Sequence, residues 1–178
     1  MIKTLILSLI FCGIGFDAGS QEKSTISFAI TQVGGIEVEG EILEFSANIC
    51  FNEADLENAK GTFSFNLASA TTGVEERDII MQAPEWLDTA KFPEGGFDLE
   101  SLTETNATGM LTLKGRSRQI NFPVTIKPAA GVATGKFTID RRDFKIGDGR
   151  WGETEKWVGF EIRISFKIAA VLIGDQCD

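Results

Sequence analysis

Near its C-terminal end the chain runs Glu161-Ile162-Arg163-Ile164-Ser165-Phe166-Lys167-Ile168, an unbroken alternation of polar and apolar residues. Successive side chains of a β-strand point to opposite faces, so this pattern predicts a strand with one dry face and one wet face. Such strands are typical of antiparallel sheets, which pack one face on a core. The same alternation returns in residues 63–67, 120–126 and 137–139. The chain is therefore predicted to be built mainly from antiparallel strands.

Glycine-containing turns separate these short segments, at Gly34-Gly35, Lys114-Gly115 and Ala130-Gly131 among others. Between residues 36–38 and residues 43–49 the apolar phase shifts by one position, with Ile36 and Leu43 both expected on the core face. A phase shift within one strand requires a bulge or bend, which we expect near residues 40–43. Bends of this kind let a sheet curve into a barrel.

One segment breaks the alternation: residues 72–91 read TGVEERDIIMQAPEWLDTAK. Thr72 followed three residues later by Glu75 has the form of a capping box, and Pro84 ends the helical pattern. We therefore predict a short helix near residues 74–82 and a turn near 84–88. With about eight or nine strands and one helix, the fold class is all-β, and a closed antiparallel barrel of about eight strands fits better than a sandwich.

The N-terminus has the form of a secretory signal peptide. Lys3 supplies a positive start, residues 5–16 are mostly apolar, and Ala18-Gly19-Ser20 offers a cleavage site before Gln21. The apolar run is shorter than the roughly 20 residues that span a bilayer. We predict a signal peptide over 1–20, a single domain over 21–178, export to the periplasm or beyond, and no integral membrane association.

Composition excludes several classes of function. The net charge of −9 and a pI near 4.6 argue against nucleic-acid binding, which requires a basic surface. The chain has no histidine, so Ser-His-Asp and Cys-His nucleophilic sites and histidine-based metal sites are excluded. No catalytic residue, metal site or cofactor is therefore predicted. Two cysteines remain after cleavage, Cys50 and Cys177, and the sequence leaves open whether they form a disulfide.

Three motifs in order resemble the YceI-like family of lipocalin-like, polyisoprenoid-binding proteins. Residues 65–97 carry a strand, a T-T-G turn, an R-D pair and a W-L-D-T-A-K-F-P-E-G-G-F segment; residues 109–115 read GMLTLKG; residues 139–147 read IDRRDFKIG. The resemblance covers roughly residues 24–170. The chain departs from the family at Lys145, where the family has glycine, and in lacking the histidine that the family often carries on its first strand.

The resemblance implies a lipocalin-like barrel that binds a polyisoprenoid or isoprenoid-quinone-like lipid for transport, storage or protection. An aromatic interior without tyrosine hydroxyls suits a hydrocarbon tail, and the chain has 14 phenylalanines and no tyrosine. The expected ligand-binding residues are the inward apolar side chains and two tryptophans at the mouth. They are Phe28, Ile30, Phe63, Phe65, Leu67, Leu111, Leu113, Phe122, Val124, Phe137, Ile162, Ile164, Phe166, Trp86 and Trp151.

The sequence also allows other interpretations. The phenylalanines could simply fill a core, and the tryptophans could pack the barrel ends. Arg77-Asp78 and Arg141-Arg142-Asp143 are expected to tie loops to strands rather than to hold a headgroup. A lectin-like or adhesive β-domain that stacks sugars on Trp151 and Trp157 is the competing function. A homodimer that covers an apolar mouth is also allowed.

Overall fold

The computed structural model of the protein describes residues 23–52, 55–127, 130–147, 157–169 and 172–173. Eleven strands and one helix lie within this part of the chain. The strands are β1 (Thr25–Gln32), β2 (Glu37–Ile42), β3 (Phe45–Asn52), β4 (Asp55–Asn66), β5 (Ala70–Thr71), β6 (Glu94–Leu102), β7 (Asn106–Leu113), β8 (Arg116–Lys127), β9 (Val132–Asp140), β10 (Val158–Ala169) and β11 (Leu172–Ile173). Helix α1 covers Glu75–Gln82, and 3₁₀ turns cover Leu67–Ser69 and Arg141–Phe144.

All strands belong to one sheet, in the order β11-β3-β4-β6-β7-β8-β9-β10-β1-β2-β5. Every described pairing is antiparallel except the short one between β11 and β3. Strands β2 and β3 lie near opposite ends of this order, yet only Leu43 and Glu44 separate them along the chain. The sheet therefore curls round into a barrel, because a single bent strand contributes to both of its ends.

The predicted fold class is confirmed. The eleven strands correspond to about eight long ones, because some long strands are interrupted. β2 and β3 are two halves of one bent strand, and β5 continues β4 after the 3₁₀ turn, so about eight long strands form the wall. The predicted bend lies at residues 43–44. Ile36 and Leu43 were expected to face the core, and that is wrong: they are 61% and 62% exposed. Leu43 lies at the bend itself, where its N–H bonds to the Ser69 carbonyl and its side chain is left outside.

The segment between β5 and β6 forms the predicted helix and turn, but the predicted capping box is wrong. Helix α1 begins after Val74, and no side chain caps its first turn. Thr72 is engaged elsewhere: its N–H and its hydroxyl each donate to Asp78 at 2.7 Å. The Thr71 hydroxyl donates to the other carboxylate oxygen of Asp78 at 2.6 Å. Asp78 lies in the first turn of α1 and therefore anchors the helix to β5.

The barrel has two different ends. The upper end carries the β1–β2 turn, helix α1 with the turns that follow it, the β7–β8 turn and the 3₁₀ turn Arg141–Phe144. The lower end carries the β6–β7 and β8–β9 connections. Apolar residues are buried at both ends: Leu102, Ala107, Val132 and Ala133 at the lower end are all at most 6% exposed, and Phe144 and Ile146 at the upper end are 1% and 3% exposed.

Candidate ligand-binding site

The barrel encloses a cavity of about 390 Å³ in its upper half. This volume lies in the range of small-molecule sites, roughly 300–1,000 Å³. All of its lining residues are apolar except Gln32, Thr72 and Arg77, which lie at the upper end. Ile80 of helix α1 lines the cavity and is still 56% exposed, so the cavity opens beside the helix. A long-chain apolar molecule could enter there and leave its polar end at the opening.

The structure brings most of the predicted residues together on this cavity wall. Thirteen of the fifteen line it: Phe28, Ile30, Phe63, Phe65, Leu67, Trp86, Leu111, Leu113, Phe122, Phe137, Ile162, Ile164 and Phe166. Val124 does not, because it lies below Phe122 on β8 and lines a second, smaller cavity. Trp151 lies outside the described residues.

Sequence reasoning missed other parts of the wall. Ile26 and Val38 belong to the period-two pattern of β1 and β2 and could have been found from it. Phe97 follows Gly95 and Gly96. This glycine pair indicated a turn in the sequence, but it lies within strand β6. Ile80 and Met81 come from helix α1, and no alternation could have placed them over the barrel.

The polar residues at the opening differ in how they are engaged. The hydroxyl of Thr72 is held by Asp78. Burial alone raises the pKa of Asp78, but the hydrogen bonds from Thr71 and Thr72, with the charge of Arg77, outweigh it and hold this pKa below its usual value. Within the described residues, the side chains of Gln32 and Arg77 make no hydrogen bond. Of the pair Arg77-Asp78, Asp78 thus has the structural role expected from the sequence, whereas Arg77 lines the cavity. The opening therefore carries one amide and one guanidinium group.

Exposed apolar side chains surround the opening. Val33 and Ile36 lie in the β1–β2 turn, Ile79 lies beside Ile80 on α1, and Trp157 precedes β10. The Val33 N–H bonds to the Trp157 carbonyl at 2.9 Å, which joins two of these connections. No residue of α1 is buried. The rim of the opening is thus more apolar than an ordinary surface loop.

Two cations hold the upper connections together. The guanidinium of Arg141, which is 1% exposed, donates to the carbonyl oxygens of Ile146, Val158 and Gly159 at 2.8–3.1 Å. It also lies 5.5 Å from the centre of the Trp86 ring. The structural role expected for Arg141 is therefore confirmed, and Trp86 is held on the cavity wall by this contact.

Lys114 has a comparable role, on the residues next to those that Arg141 contacts. Its ammonium group donates to the carbonyl oxygens of Pro84, Glu85 and Lys145 at 2.8–3.2 Å. Lys145 adopts the left-handed conformation, with φ of 55°, at the position where the resembled family has glycine.

Arg142, next to Arg141, points outward and forms an exposed ion pair with Asp140. The hydrogen bonds from the Arg142 side chain, together with the one from its backbone N–H, keep the pKa of Asp140 below its usual value. Asp140 also caps the 3₁₀ turn by accepting that N–H. The lowered pKa values of both Asp78 and Asp140 thus have structural causes.

The described residues contain no group of three or more metal-ligating side chains that could hold an ion. No helix in the described part of the chain has the length and apolar character needed to span a bilayer. What the arrangement can do chemically is to enclose a hydrocarbon.

Comparisons with known proteins agree with this geometry. The model of the YceI-like domain matches residues 19–170. The protein YceI of Escherichia coli O157:H7 is 25% identical over 182 residues, which cover 94% of this chain and 85% of that protein.

Solved structures show the same architecture. BcnA of Burkholderia cenocepacia superposes with a TM-score of 0.74 at 26% identity, over 81% of this chain and 94% of BcnA. A polyisoprenoid-binding domain of Saccharophagus degradans, implicated in plant cell wall breakdown, has a TM-score of 0.60 at 13% identity. The alignment covers 81% of this chain and 91% of that domain. At this identity the likeness concerns the fold alone.

Proposed function

The chain belongs to the YceI-like domain family, and from this premise we propose that its barrel binds an apolar lipid with an isoprenoid tail. The ligand would be a polyisoprenoid or an isoprenoid quinone, held for transport, storage or protection. The observation that carries this proposal is the 390 Å³ cavity, whose wall is apolar except at its opening. The polyisoprenoid-binding domain of Saccharophagus degradans has the same fold, which supports this choice of ligand.

A hydrocarbon tail suits this wall because it offers no hydrogen-bond partner. Removing apolar surface from water contributes roughly 25 cal/mol per Å², from which the cost of ordering the chain is subtracted. A polar solute would gain nothing from the lower part of the wall, where Phe63, Phe97 and Phe122 present only ring edges and faces. The tail is therefore expected to lie deepest.

The headgroup would lie at the upper end, beside Gln32 and Arg77. The neutral amide of Gln32 can donate and accept, which fits the oxygen of a quinone, a phenol or an alcohol. Acidic residues also lie on the rim, including Glu75, Glu76 and Asp78 on α1. A neutral headgroup therefore fits this opening better than a strongly anionic one.

The proposal has two further parts: the protein binds its ligand without catalysing a reaction, and it is exported from the cytoplasm. The two aspartates with shifted pKa values both serve as structural acceptors. Export rests on the signal-peptide pattern of residues 1–20, which lie outside the described residues, and the periplasm is the proposed destination. The intact mass of the exported protein checks this: a chain that starts at Gln21 is expected, and one that retains residues 1–20 contradicts it.

Retention of a loaded lipid tests the binding proposal. Phe65 is buried on the cavity wall, so Phe65→Asp would place a carboxylate against the tail. The matched control is Leu43→Asp, because Leu43 is exposed and lies outside the cavity. After incubation with geranylgeraniol, native mass spectrometry is expected to show bound prenol in wild type and Leu43→Asp but not in Phe65→Asp. A folded Phe65→Asp variant that retains prenol as wild type does contradicts the proposal.

One observation favours the lectin-like alternative: Trp157 is 61% exposed at the upper end. Indole rings that stack on sugars change their fluorescence, so a glycan titration reads this function directly. Quenching by glycans that is lost in Trp157→Ala would support the alternative. Native mass spectrometry of the unliganded protein also shows whether two copies associate.

A further inference from the structure

Four phenylalanines form the boundary between the main cavity and a second, much smaller one below it. Phe63, Phe97, Phe122 and Phe166 line both cavities. We call this set the aromatic floor. The lower cavity has a volume of about 40 Å³, room for a few water-sized groups at roughly 10–15 Å³ each. Its lining is entirely apolar and includes Leu102, Ala107 and Ala133.

The rings of the aromatic floor form a closed circle of contacts. The ring centres of Phe63 and Phe97 are 5.9 Å apart, and those of Phe97 and Phe122 are 5.4 Å apart. Phe166 completes the circle, at 5.8 Å from Phe122 and 6.5 Å from Phe63. These are ordinary packing distances for aromatic pairs. Direct contact between the rings of the floor therefore separates the main cavity from the lower one.

The neighbouring strands make room for this floor. Gly109 of β7 lies against Phe97, and a Cβ atom added there would lie 2.5 Å from the ring. Gly135 of β9 pairs across the ladder with Phe166, and an added Cβ would lie 2.6 Å from its ring. Glycine weakens a strand interior, so its presence needs a cause. At Gly135 the atoms nearest to the added Cβ are those of the Phe166 ring, and at Gly109 they are the Asp98 carbonyl oxygen, at 2.2 Å, and the Phe97 ring. The floor is thus specified by residues of several strands.

We propose that the aromatic floor limits how long an apolar chain the barrel can bury. This inference rests on the proposed function and adds a selection by tail length. A tail that enters at the upper end meets the floor at the bottom of the main cavity. Carbons beyond that depth must remain at the opening, so they add nothing to the affinity. The lower cavity becomes available only when a floor ring is made smaller.

A series of prenols measures this limit. Geraniol, farnesol, geranylgeraniol and longer polyprenols compete at equal concentration, and native mass spectrometry reads the bound fraction of each. In wild type, affinity is expected to rise about tenfold per isoprene unit and then to level off. In Phe122→Leu the levelling-off point is expected to move to a longer prenol, with a gain of about fivefold or more for the first prenol beyond the wild-type limit.

Two further variants keep the test specific. Phe144 is fully buried but lines neither cavity, so Phe144→Leu is the matched control and should keep the wild-type limit. Ala107 lies opposite Phe122 in the β7–β8 ladder and lines the lower cavity. Ala107→Val added to Phe122→Leu should refill the opened space and restore the wild-type limit. If Phe122→Leu does not fold, Phe166→Leu is used in its place.

The outcomes separate the two proposals. A limit that stays unchanged in a folded floor variant overturns the role of the floor, and so does an affinity that keeps rising with length in wild type. In both cases the binding of prenols still stands. If wild type binds no prenol of any length, the proposed function itself fails, and the length limit fails with it.

Discussion

At the lower end of the barrel Leu102, Ala107 and Ala133 are buried against the aromatic floor, whereas at the upper end helix α1 buries none of its residues. Apolar packing closes the lower end, and opening it would expose that surface at once. At the upper end the 3₁₀ turn is anchored by buried Phe144 and Ile146, and polar contacts of Arg141, Lys114 and Asp78 join the remaining connections. Helix α1 has no buried side chain to anchor it, so the opening beside this helix is where a ligand can pass.

The largest expected effect concerns Arg141. Arg141→Met keeps an apolar stem but leaves the carbonyl oxygens of Ile146, Val158 and Gly159 without this donor. We expect a loss of at least about 3 kcal/mol in the free energy of unfolding, because hydrogen bonds to charged groups contribute about 1.5–3 kcal/mol each. Arg142→Met, at the exposed neighbour, should change it by less than about 1 kcal/mol. Equal losses in the two variants, measured by urea unfolding, would contradict the role given to Arg141.

Leu102→Ala tests the packing of the lower end. Leu102 is 4% exposed, and truncation of such a residue costs about 2–5 kcal/mol. The upper-end counterpart is Ile79→Ala, where the side chain is 63% exposed and the expected change is within about 0.5 kcal/mol. Urea unfolding of both variants measures the contrast. Similar values for the two would mean that the ends do not differ as described.

Asp78→Ala should destabilise helix α1 and leave the packing of the barrel core unchanged. Three hydrogen bonds from Thr71 and Thr72 are lost, and we expect a cost on the order of 1–2 kcal/mol. Hydrogen exchange is expected to speed up in residues 72–82 and to stay unchanged in β7 and β8. Unchanged exchange in the helix would show that Asp78 does not anchor it.

Acidification should act on the upper end before the lower. The folded-state pKa values of Asp78 and Asp140 are lowered, so their stabilising contribution is present above the unfolded-state pKa of about 3.9. It is lost as the pH falls through the folded-state values. Protection factors correct for the pH dependence of intrinsic amide exchange. Between about pH 6 and pH 5 those of the helix amides should not change, and well below pH 4 they should fall. A fall that begins near neutral pH would point to other groups.

Lys145→Gly is the smallest expected effect. Lys145 adopts a left-handed conformation, which costs a residue with a Cβ atom roughly 1–2 kcal/mol and costs glycine little. Glycine also has more freedom to lose on folding, so the net gain should be no more than about 1 kcal/mol. A small rise in Tm is expected. A clear fall would mean that the side chain of Lys145 contributes more than its backbone strain costs.

The long strands could be predicted from the sequence because each has one wet and one dry face. The alternation in residues 120–126 and 162–168 placed Phe122, Ile164 and Phe166 on the inside, where the structure has them. It failed at Leu43, where the bend removes the strand geometry on which the alternation depends. The capping-box prediction from Thr72 and Glu75 was wrong for a different reason: the helix begins only after Val74, and the N–H and hydroxyl of Thr72 bond to Asp78 instead.

The hollow interior could not be predicted from the alternation. A filled barrel and a hollow barrel can have the same inward-facing apolar residues. They differ in how much of the interior the side chains of those residues occupy. Phe97 and Phe166 extend over Gly109 and Gly135, where a side chain would occupy the same space, and they contact Phe63 and Phe122 there, while the larger cavity lies above these rings. Likewise Arg141 and Arg142 are adjacent and chemically identical, and only the 3₁₀ turn decides that Arg141 is buried and Arg142 exposed.

Mass spectrometry of the exported protein, under native conditions and then after organic extraction, tests the central claim most directly. We predict one co-purifying lipid with an unsaturated isoprenoid tail per chain, which extraction removes and geranylgeraniol replaces. A protein that is reproducibly empty, and that stays empty after incubation with quinones and polyprenols, would contradict the account. The phenylalanines of the interior would then serve the fold alone.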